Sequence, residues 1–137
     1  MSQQPQMCIR DRYKMANSES VEYLNQARYF VGVEQYNDAL EYINKAIATD
    51  KLNKELYVQK SIILANLDQY TEAIGELKNA LKIDRAYAEA YFHLGNLYLM
   101  TGEQALGLES YNKAIANGFD DSQIFFNLGL MYEYGNG

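Results

Sequence analysis

The chain has 137 residues, of which 48% are hydrophobic and 22% charged, with one proline and nine glycines. This composition excludes collagen-like and proline-rich disordered chains and suits a folded domain with a sizeable core. The net charge of −6 disfavours nucleic acid as a partner, because phosphate binding requires clustered positive charge. No stretch approaches the roughly 20 apolar residues of a membrane span, and the first residues lack a signal-peptide core, so a cytoplasmic protein is expected.

The first 19 residues are predicted to lie outside the folded part of the chain. Residues 7–13, MCIRDRY, resemble a peptide that arises when sequencing-adapter DNA is translated. The alternative is a disordered polar leader, which the composition of residues 1–19 also fits. Either interpretation removes Cys8, the single cysteine, from the functional argument.

From residue 20 onward the sequence repeats itself without gaps at a period of 34 residues. Three sets of positions carry the repeat: aromatic residues at Tyr23, Tyr57, Tyr91 and Phe125, small residues at Ala27, Ser61, Gly95 and Gly129, and alanines at Ala46, Ala80 and Ala114. These sets divide the chain into units 20–53, 54–87 and 88–121, followed by a partial unit 122–137.

Each complete unit is predicted to form two helices, because its apolar residues fall at helical spacing twice over. Short polar turns are predicted between the helices, at Glu34-Gln35, Asp68-Gln69 and Thr101-Gly102-Glu103. Asn117-Gly118 is predicted to end a helix, because glycine tolerates the left-handed backbone of a helix C-terminus. A small residue on the first helix is expected to let a bulky side chain of the second helix approach closely.

The repeated residues resemble the tetratricopeptide repeat family, whose motif places an aromatic residue, a Leu-Gly pair, a tyrosine and an alanine at fixed offsets. The third unit, AEAYFHLGNLYLMTGEQALGLESYNKAIANGFDD, fits this motif best. The resemblance implies an all-α fold, a right-handed α-solenoid of three complete helix-turn-helix units and one further helix. The family's proline near the end of each unit is replaced by Lys51, Arg85 and Phe119, which weakens helix termination but leaves the predicted fold unchanged.

The last segment has a second resemblance. Residues 126–137, FNLGLMYEYGNG, are similar to the Sel1-like variant of helical repeat, in which Leu-Gly-x-x-Tyr precedes a Gly-x-Gly turn. The ends of a solenoid normally need a capping element with a polar outer face, and the sequence shows none after this helix. We therefore expect a fragment of a longer repeat protein, and self-association through the uncapped last helix is a further hypothesis.

The sequence contains few residues of the types that usually form a catalytic site. It has one histidine, one cysteine and no glycine-rich phosphate loop, so we predict no enzyme activity, no cofactor and no metal site. His93 is interpreted as a structural residue of a helix, with partner binding as the alternative. Asp120-Asp121 follow a helix-ending glycine and are interpreted as N-cap candidates rather than as paired catalytic carboxylates.

The resemblance assigns partner binding to a concave groove formed by the first helix of every unit. The groove residues carried over by position are mostly apolar: Leu24, Arg28, Val31, Val58, Ile62, Phe92, Asn96, Leu99, Met100, Phe126 and Leu130. Family members that clamp the terminal carboxylate of chaperone tails use Lys, Asn and Arg in such a groove, because a carboxylate needs charge-assisted donors. The corresponding residues of this sequence are Leu24, Arg28, Gln59, Glu89 and His93. Chaperone-tail binding is therefore disfavoured.

The predicted function is a protein-interaction scaffold that holds a peptide or an amphipathic helix of a partner protein in this apolar groove. Another helix of the full-length protein is the alternative occupant. The alternative function is a regulatory or targeting repeat domain of a larger enzyme, such as a kinase or transferase, whose catalytic part is missing. Residues 88–137 contain one basic residue, Lys113, against six acidic ones, so this half would attract a basic partner segment; the charge also serves solubility.

Overall fold

The computed structural model describes the backbone of residues 9–134 and the side chains of residues 18–129. This part of the chain is built from seven α-helices, and it contains no strand: α1 (Ile9–Gly32), α2 (Tyr36–Thr49), α3 (Lys54–Asn66), α4 (Tyr70–Ile83), α5 (Ala88–Met100), α6 (Gln104–Ala116) and α7 (Asp121–Tyr134). None of these helices is both long and apolar enough to cross a bilayer. The predicted all-α fold is confirmed, whereas the Gly-x-Gly turn of the Sel1-like resemblance lies outside the described residues.

α1 begins earlier than the repeat frame predicts. It starts at Ile9 and so extends into the segment that was expected to be a disordered leader. Residues 9–17 contain neither glycine nor proline and include good helix formers such as Arg10, Lys14 and Ala16. Such residues allow a helix to continue in the N-terminal direction from the packed part of α1. Cys8 and the residues before it lie outside the described part of the chain.

The turns inside the three hairpins are copies of one another. A left-handed residue occupies the same place in each, Glu34, Asp68 and Gly102, with φ of 60°, 61° and 86°. The next N–H then donates to a carbonyl five residues earlier, as Glu103 does to Tyr98 at 2.8 Å. This is the Schellman pattern, which satisfies the last carbonyls of a helix. The turns lie where the polar residues of the sequence predict them.

The connection from α6 to α7 combines both predicted caps. α6 ends at Ala116, and Gly118 follows with φ of 97°, which confirms glycine as the helix stop. The carboxylate of Asp120 then accepts a hydrogen bond from the N–H of Ser122 at 2.9 Å. That bond satisfies one of the unpaired N–H groups at the start of α7. The N-cap interpretation is therefore confirmed for Asp120.

Three small cores hold the helices together, and each is shared between a hairpin and the first helix of the next. The first lies between α1 and α2 and is closed by Leu56 and Ile63 of α3. The second lies between α3 and α4 and is closed by Ala90, Leu94 and Leu97 of α5. The third joins Phe92 of α5 and Tyr111 of α6 to Ile124 of α7. Each hairpin thus buries part of its apolar surface against the next hairpin, as in a solenoid.

The third hairpin shows how closely its two helices approach. A Cβ atom placed on Gly95 of α5 would lie 2.4 Å from Cδ1 of Tyr111, and one on Gly107 of α6 would lie 2.7 Å from Cδ2 of Leu99. Each helix therefore contributes one glycine that receives a large side chain of the other. This arrangement confirms the predicted packing of small against large residues.

Replacing Gly95 with alanine is expected to destabilise the protein by about 1–3 kcal/mol, because the new methyl group meets the Tyr111 ring in a packed core. Gly129, at the same place in α7, has no atom within 4 Å of its would-be Cβ and serves as the matched control. Gly129→Ala should instead raise the free energy of unfolding of the monomer by as much as about 1 kcal/mol, because alanine has a higher helix propensity than glycine. Urea denaturation of both variants checks this, and equal effects would contradict the packing.

Candidate functional site

The first helices of successive hairpins lie side by side and form one continuous surface, which we call the groove and define as the exposed faces of α1, α3 and α5. α3 contacts α5 directly, and Arg28 of α1 reaches Glu55 of α3 at 3.0 Å. The second helices α2, α4 and α6 pack behind these first helices. The groove is therefore a separate surface from the hairpin cores.

A cavity of about 310 Å³ lies in the groove between α3 and α5. Four apolar residues, one serine, one histidine and two asparagines line it: Ser61, Ile62, Ala65, Asn66, His93, Asn96, Leu97 and Met100. A second cavity of about 70 Å³ continues the groove between α1 and α3, where Leu24, Arg28, Val31 and Ile62 contribute. Ile62 belongs to both cavities and lies at the centre of the groove.

Most of the predicted groove residues on α1, α3 and α5 do line these cavities. Arg28 is exposed, Ile62 and Asn96 are half-buried, and Met100 is 60% exposed. Ser61 and Leu97 also line the cavity but were not predicted, because a small residue and a core leucine carry no signal for a surface. Leu24, Arg28 and Val31 line the smaller cavity, Asn96 and Met100 line the larger one, and Ile62 lines both.

Other predicted groove residues lie beneath the surface or away from it. Val58 is completely buried, and Phe92 stacks on Phe119 with ring centroids 4.4 Å apart inside the third core. Leu99 points towards α6, where it fills the space above Gly107. These side chains pack into the hairpin cores. They therefore lie beneath the groove surface and are not available to a ligand.

The predicted groove residues of α7 lie at the far end of the solenoid. Phe126 is 65% exposed. The side chain of Leu130 lies outside the described residues.

Asn96 connects the groove to the helices behind it. Its Oδ1 accepts hydrogen bonds from the hydroxyl of Tyr111 on α6 and from Nδ2 of Asn127 on α7, the latter at 3.0 Å. Both acceptor positions of the amide oxygen are therefore used. Asn96 lines the cavity, and its NH₂ group donates no hydrogen bond within the described part of the chain, so it is available as a donor. Across the cavity, Asn66 donates its own Nδ2 to the carbonyl of Ile62 at 2.9 Å, which leaves its side-chain oxygen as an acceptor.

Among the residues whose side chains the structure describes, three charged ones border the groove. Arg28 and Glu55 form an ion pair whose side chains are about half exposed, at 51% and 48%. Glu89, one helical turn before His93, accepts a hydrogen bond from the hydroxyl of Tyr87 at 3.1 Å. Burial raises the pKa of Tyr87, and the charges of Glu89 and Glu55 raise it further, so the phenol keeps its proton and donates.

His93 lies 3.8 Å from the Glu89 carboxylate, from Nε2 to Oε1. Burial lowers the pKa of His93, and this outweighs the nearby Glu89 charge, which acts in the opposite direction. The imidazole is therefore mostly neutral at neutral pH. The predicted structural role fits its half-buried position, but the ring also forms part of the cavity wall.

Another cavity, of about 350 Å³, lies outside the groove on the outer face of the first hairpin. Its walls are Asn25, Gln26, Tyr29, Phe30 and Tyr42. Tyr29 is 65% exposed here, whereas Ile63, at the same place in the next unit, is buried at 1% by the preceding hairpin. This cavity therefore lies on the side of the first described hairpin that no other described hairpin covers.

Within the described part of the chain, no group of three or more His, Cys, Asp or Glu side chains is placed to hold a metal ion. Asp120, one of the paired carboxylates of the sequence, caps α7 instead, and its bond from Ser122 lowers its pKa. The groove is thus a surface of apolar, amide and charged groups.

Comparison with known proteins finds a similar repeat in part of the chain. The family model described as TPR repeat matches residues 63–102, which include the end of α3 and the whole of α4 and α5. No curated protein sequence matches the chain. Among solved structures, the second TPR of Spaghetti (RPAP3), bound to the HSP90 peptide SRMEEVD, has a TM-score of 0.71 and 17% identity, covering 77% of this chain and 97% of that chain.

Two further structures share the fold. The Arabidopsis OM64 TPR domain has a TM-score of 0.71 and 16% identity, covering 75% of this chain and 85% of that chain. MamA has a TM-score of 0.66 and 29% identity, covering 77% of this chain but 64% of that chain. These likenesses confirm the predicted helical solenoid.

The lowered pKa of His93 makes part of the stability pH-dependent. The unfolded chain, with a histidine pKa of about 6.5, binds this proton more readily than the folded protein. The contribution is therefore complete above about pH 6.5 and is lost as the pH falls towards the lower pKa of the folded state. His93→Gln should reduce the fall in melting temperature between about pH 7.5 and about pH 5.5. An unchanged fall in the variant would contradict the buried neutral imidazole.

Proposed function

Because the chain carries tetratricopeptide repeats and folds as their helical solenoid, we propose that it is a protein-interaction scaffold whose groove binds a segment of a partner protein. The segment is an extended peptide or an amphipathic helix. The chain acts by binding rather than by catalysis, with preformed helices presenting the contact surface.

The observation that carries this proposal is the 310 Å³ cavity between α3 and α5. Ile62, Ala65 and Met100 offer apolar contact, and burial of apolar surface is the main favourable term in such binding. The Asn96 NH₂ and the Asn66 side-chain oxygen lie on opposite helices of this cavity. Together they offer one donor and one acceptor to a peptide backbone, whose polar groups need partners when they leave water.

The occupant is expected to differ from the acidic peptide bound by the RPAP3 domain. Such a peptide needs cationic donors for its carboxylates. Arg28, which borders this groove, is already paired with Glu55, and the residue that corresponds to the family's lysine is the buried Leu24. These features support the sequence-based expectation that chaperone-tail binding is disfavoured.

A second proposal concerns the outer face of α7, where Phe125 is 62% exposed and Gly129 has open space above it. We propose that two copies of the chain associate weakly through this face. In an antiparallel pair of α7 helices, Phe125 of each copy would lie over Gly129 of the other. The contact between Tyr111 and Gly95 within the third hairpin is the precedent for such a pairing.

For the groove, a displayed library of random peptides is selected on the wild-type protein, and the affinity of an enriched peptide is then measured by fluorescence anisotropy. Met100→Glu, which places a charge beside the cavity, should weaken binding at least about tenfold. Leu52→Glu is the matched control, since Leu52 is 79% exposed but does not line the cavity, and it should bind normally. A selection that enriches no peptide, or equal loss in both variants, would contradict groove binding.

For self-association, sedimentation velocity of the full chain at rising concentration should show a monomer–dimer equilibrium. Phe125→Asp should shift this equilibrium to monomer, because it would bury a charge in the apolar contact. Leu52→Asp, on an inter-helix loop, should sediment like wild type. A wild-type chain that remains monomeric at every concentration would overturn the second proposal.

A further inference from the structure

We propose that the groove selects partner segments in which a large apolar residue is accompanied by a lysine or arginine, the apolar side chain entering the cavity between α3 and α5 and the cation lying against Glu89. This inference rests on the proposed function, because it assigns the chemistry of the segment that the groove would hold. It predicts a partner opposite in charge to the acidic peptide of the RPAP3 complex.

The first step of the argument is the charge balance of the groove. Arg28 and Glu55 neutralise each other across α1 and α3 at 3.0 Å. Just outside the groove, Lys54 is paired with Asp84, and its ammonium group lies 4.6 Å from the centre of the Tyr87 ring. Arg28 and Lys54 are therefore each already paired with a carboxylate.

Glu89 is the carboxylate that remains. Its side chain is 46% exposed, and within the described part of the chain no lysine or arginine forms an ion pair with it. Its two neighbours are the Tyr87 hydroxyl and the His93 imidazole, which are both uncharged at neutral pH. Glu89 thus places a negative charge at the edge of the cavity, and no lysine or arginine of the described residues forms an ion pair with it.

A ligand cation that binds Glu89 would also pay only a small desolvation cost. Its exposed half can be reached from solvent, so binding does not require the removal of a buried charge. The Tyr87 hydroxyl fixes one carboxylate oxygen, Oε2, at 3.1 Å and leaves the group partly ordered in advance. A lysine or arginine that arrives here gains a charge-assisted hydrogen bond.

The spacing between the anion and the cavity defines a pattern in the ligand. Glu89 lies one helical turn before His93, which lines the cavity, and one turn rises about 5.4 Å. In an extended peptide, residues two apart point to the same side at a separation of about 6.7 Å. In a helix, residues three or four apart do so at about 5–6 Å. The cation should therefore be two residues from the apolar anchor in an extended segment and three or four residues away in a helical one.

The overall charge of the chain acts in the same direction. Residues 88–137 contain six acidic residues and one basic residue, so a cationic segment is drawn towards the α5 end of the groove before contact. This long-range attraction is screened by salt. The contact with Glu89 is local, and it can therefore be separated from the general attraction by a single neutralising substitution.

The test uses the peptides enriched on the full wild-type chain by the library selection. Their sequences should show lysine or arginine at the stated distance from a large apolar residue more often than the unselected library does. The strongest binder is then synthesised together with a counterpart in which that basic residue is glutamine. Both peptides are titrated by fluorescence anisotropy against wild type and Glu89→Gln, a double-mutant cycle that isolates the pairwise contact.

The basic peptide should lose about 3- to 10-fold in affinity for Glu89→Gln, the range for a partly exposed charge pair, and the glutamine peptide should lose almost none. Glu72→Gln is the control that removes the same charge from an exposed site in the first turn of α4, outside the groove, and it should leave the preference intact.

Enriched peptides without a basic residue, or a basic peptide that binds Glu89→Gln as tightly as wild type, would overturn the inference while leaving groove binding in place. Equal losses for Glu89→Gln and Glu72→Gln would also overturn it, since general attraction would then account for the preference. A selection that enriches nothing would overturn the proposed function, and this inference with it.

Discussion

The solenoid depends on the close approach of the two helices within a hairpin. In the third hairpin, Gly95 receives the ring of Tyr111, and Gly107 receives Leu99 from the opposite direction. A larger residue at either glycine would separate the helices and open the core, because protein interiors tolerate little added volume. Once the second helix is fixed behind the first, the opposite face of the first helix is left free, and these free faces together form the groove.

The same contact also positions the polar part of the groove. Tyr111 lies at 2% exposure in the core, yet its hydroxyl reaches Asn96 on the groove side of α5. Asn127 of α7 donates to the same oxygen, so three helices hold one amide group in place. The Asn96 NH₂ is therefore oriented before any ligand arrives. A group ordered in advance loses less conformational entropy on binding, which is how a rigid scaffold increases affinity.

The repeat pattern predicted much of the fold and part of the groove. The turns at Glu34, Asp68 and Gly102 were predictable because their polar residues recur at a fixed period and the backbone geometry there is local. Groove positions transferred by repeat place were less reliable, since Ile62 and Met100 line the cavity whereas Val58 is buried. Place in the repeat gives the direction of a side chain on its own helix. It does not say which neighbouring hairpin covers that direction.

The amino-acid sequence by itself determined the number of hairpins, their turns and the small positions at which helices meet. Those features rest on helical periodicity and on residues that repeat 34 positions apart, and both patterns are visible in the amino-acid sequence. Only the tertiary structure decided the charge of the groove. Arg28 pairs with Glu55 on another helix, and burial keeps His93 neutral, so Glu89 forms no ion pair with a charged partner among the described residues. The physical reason is that the sequence shows which residues are charged, whereas the ion pairs and the desolvation of these residues depend on neighbours from other repeat units.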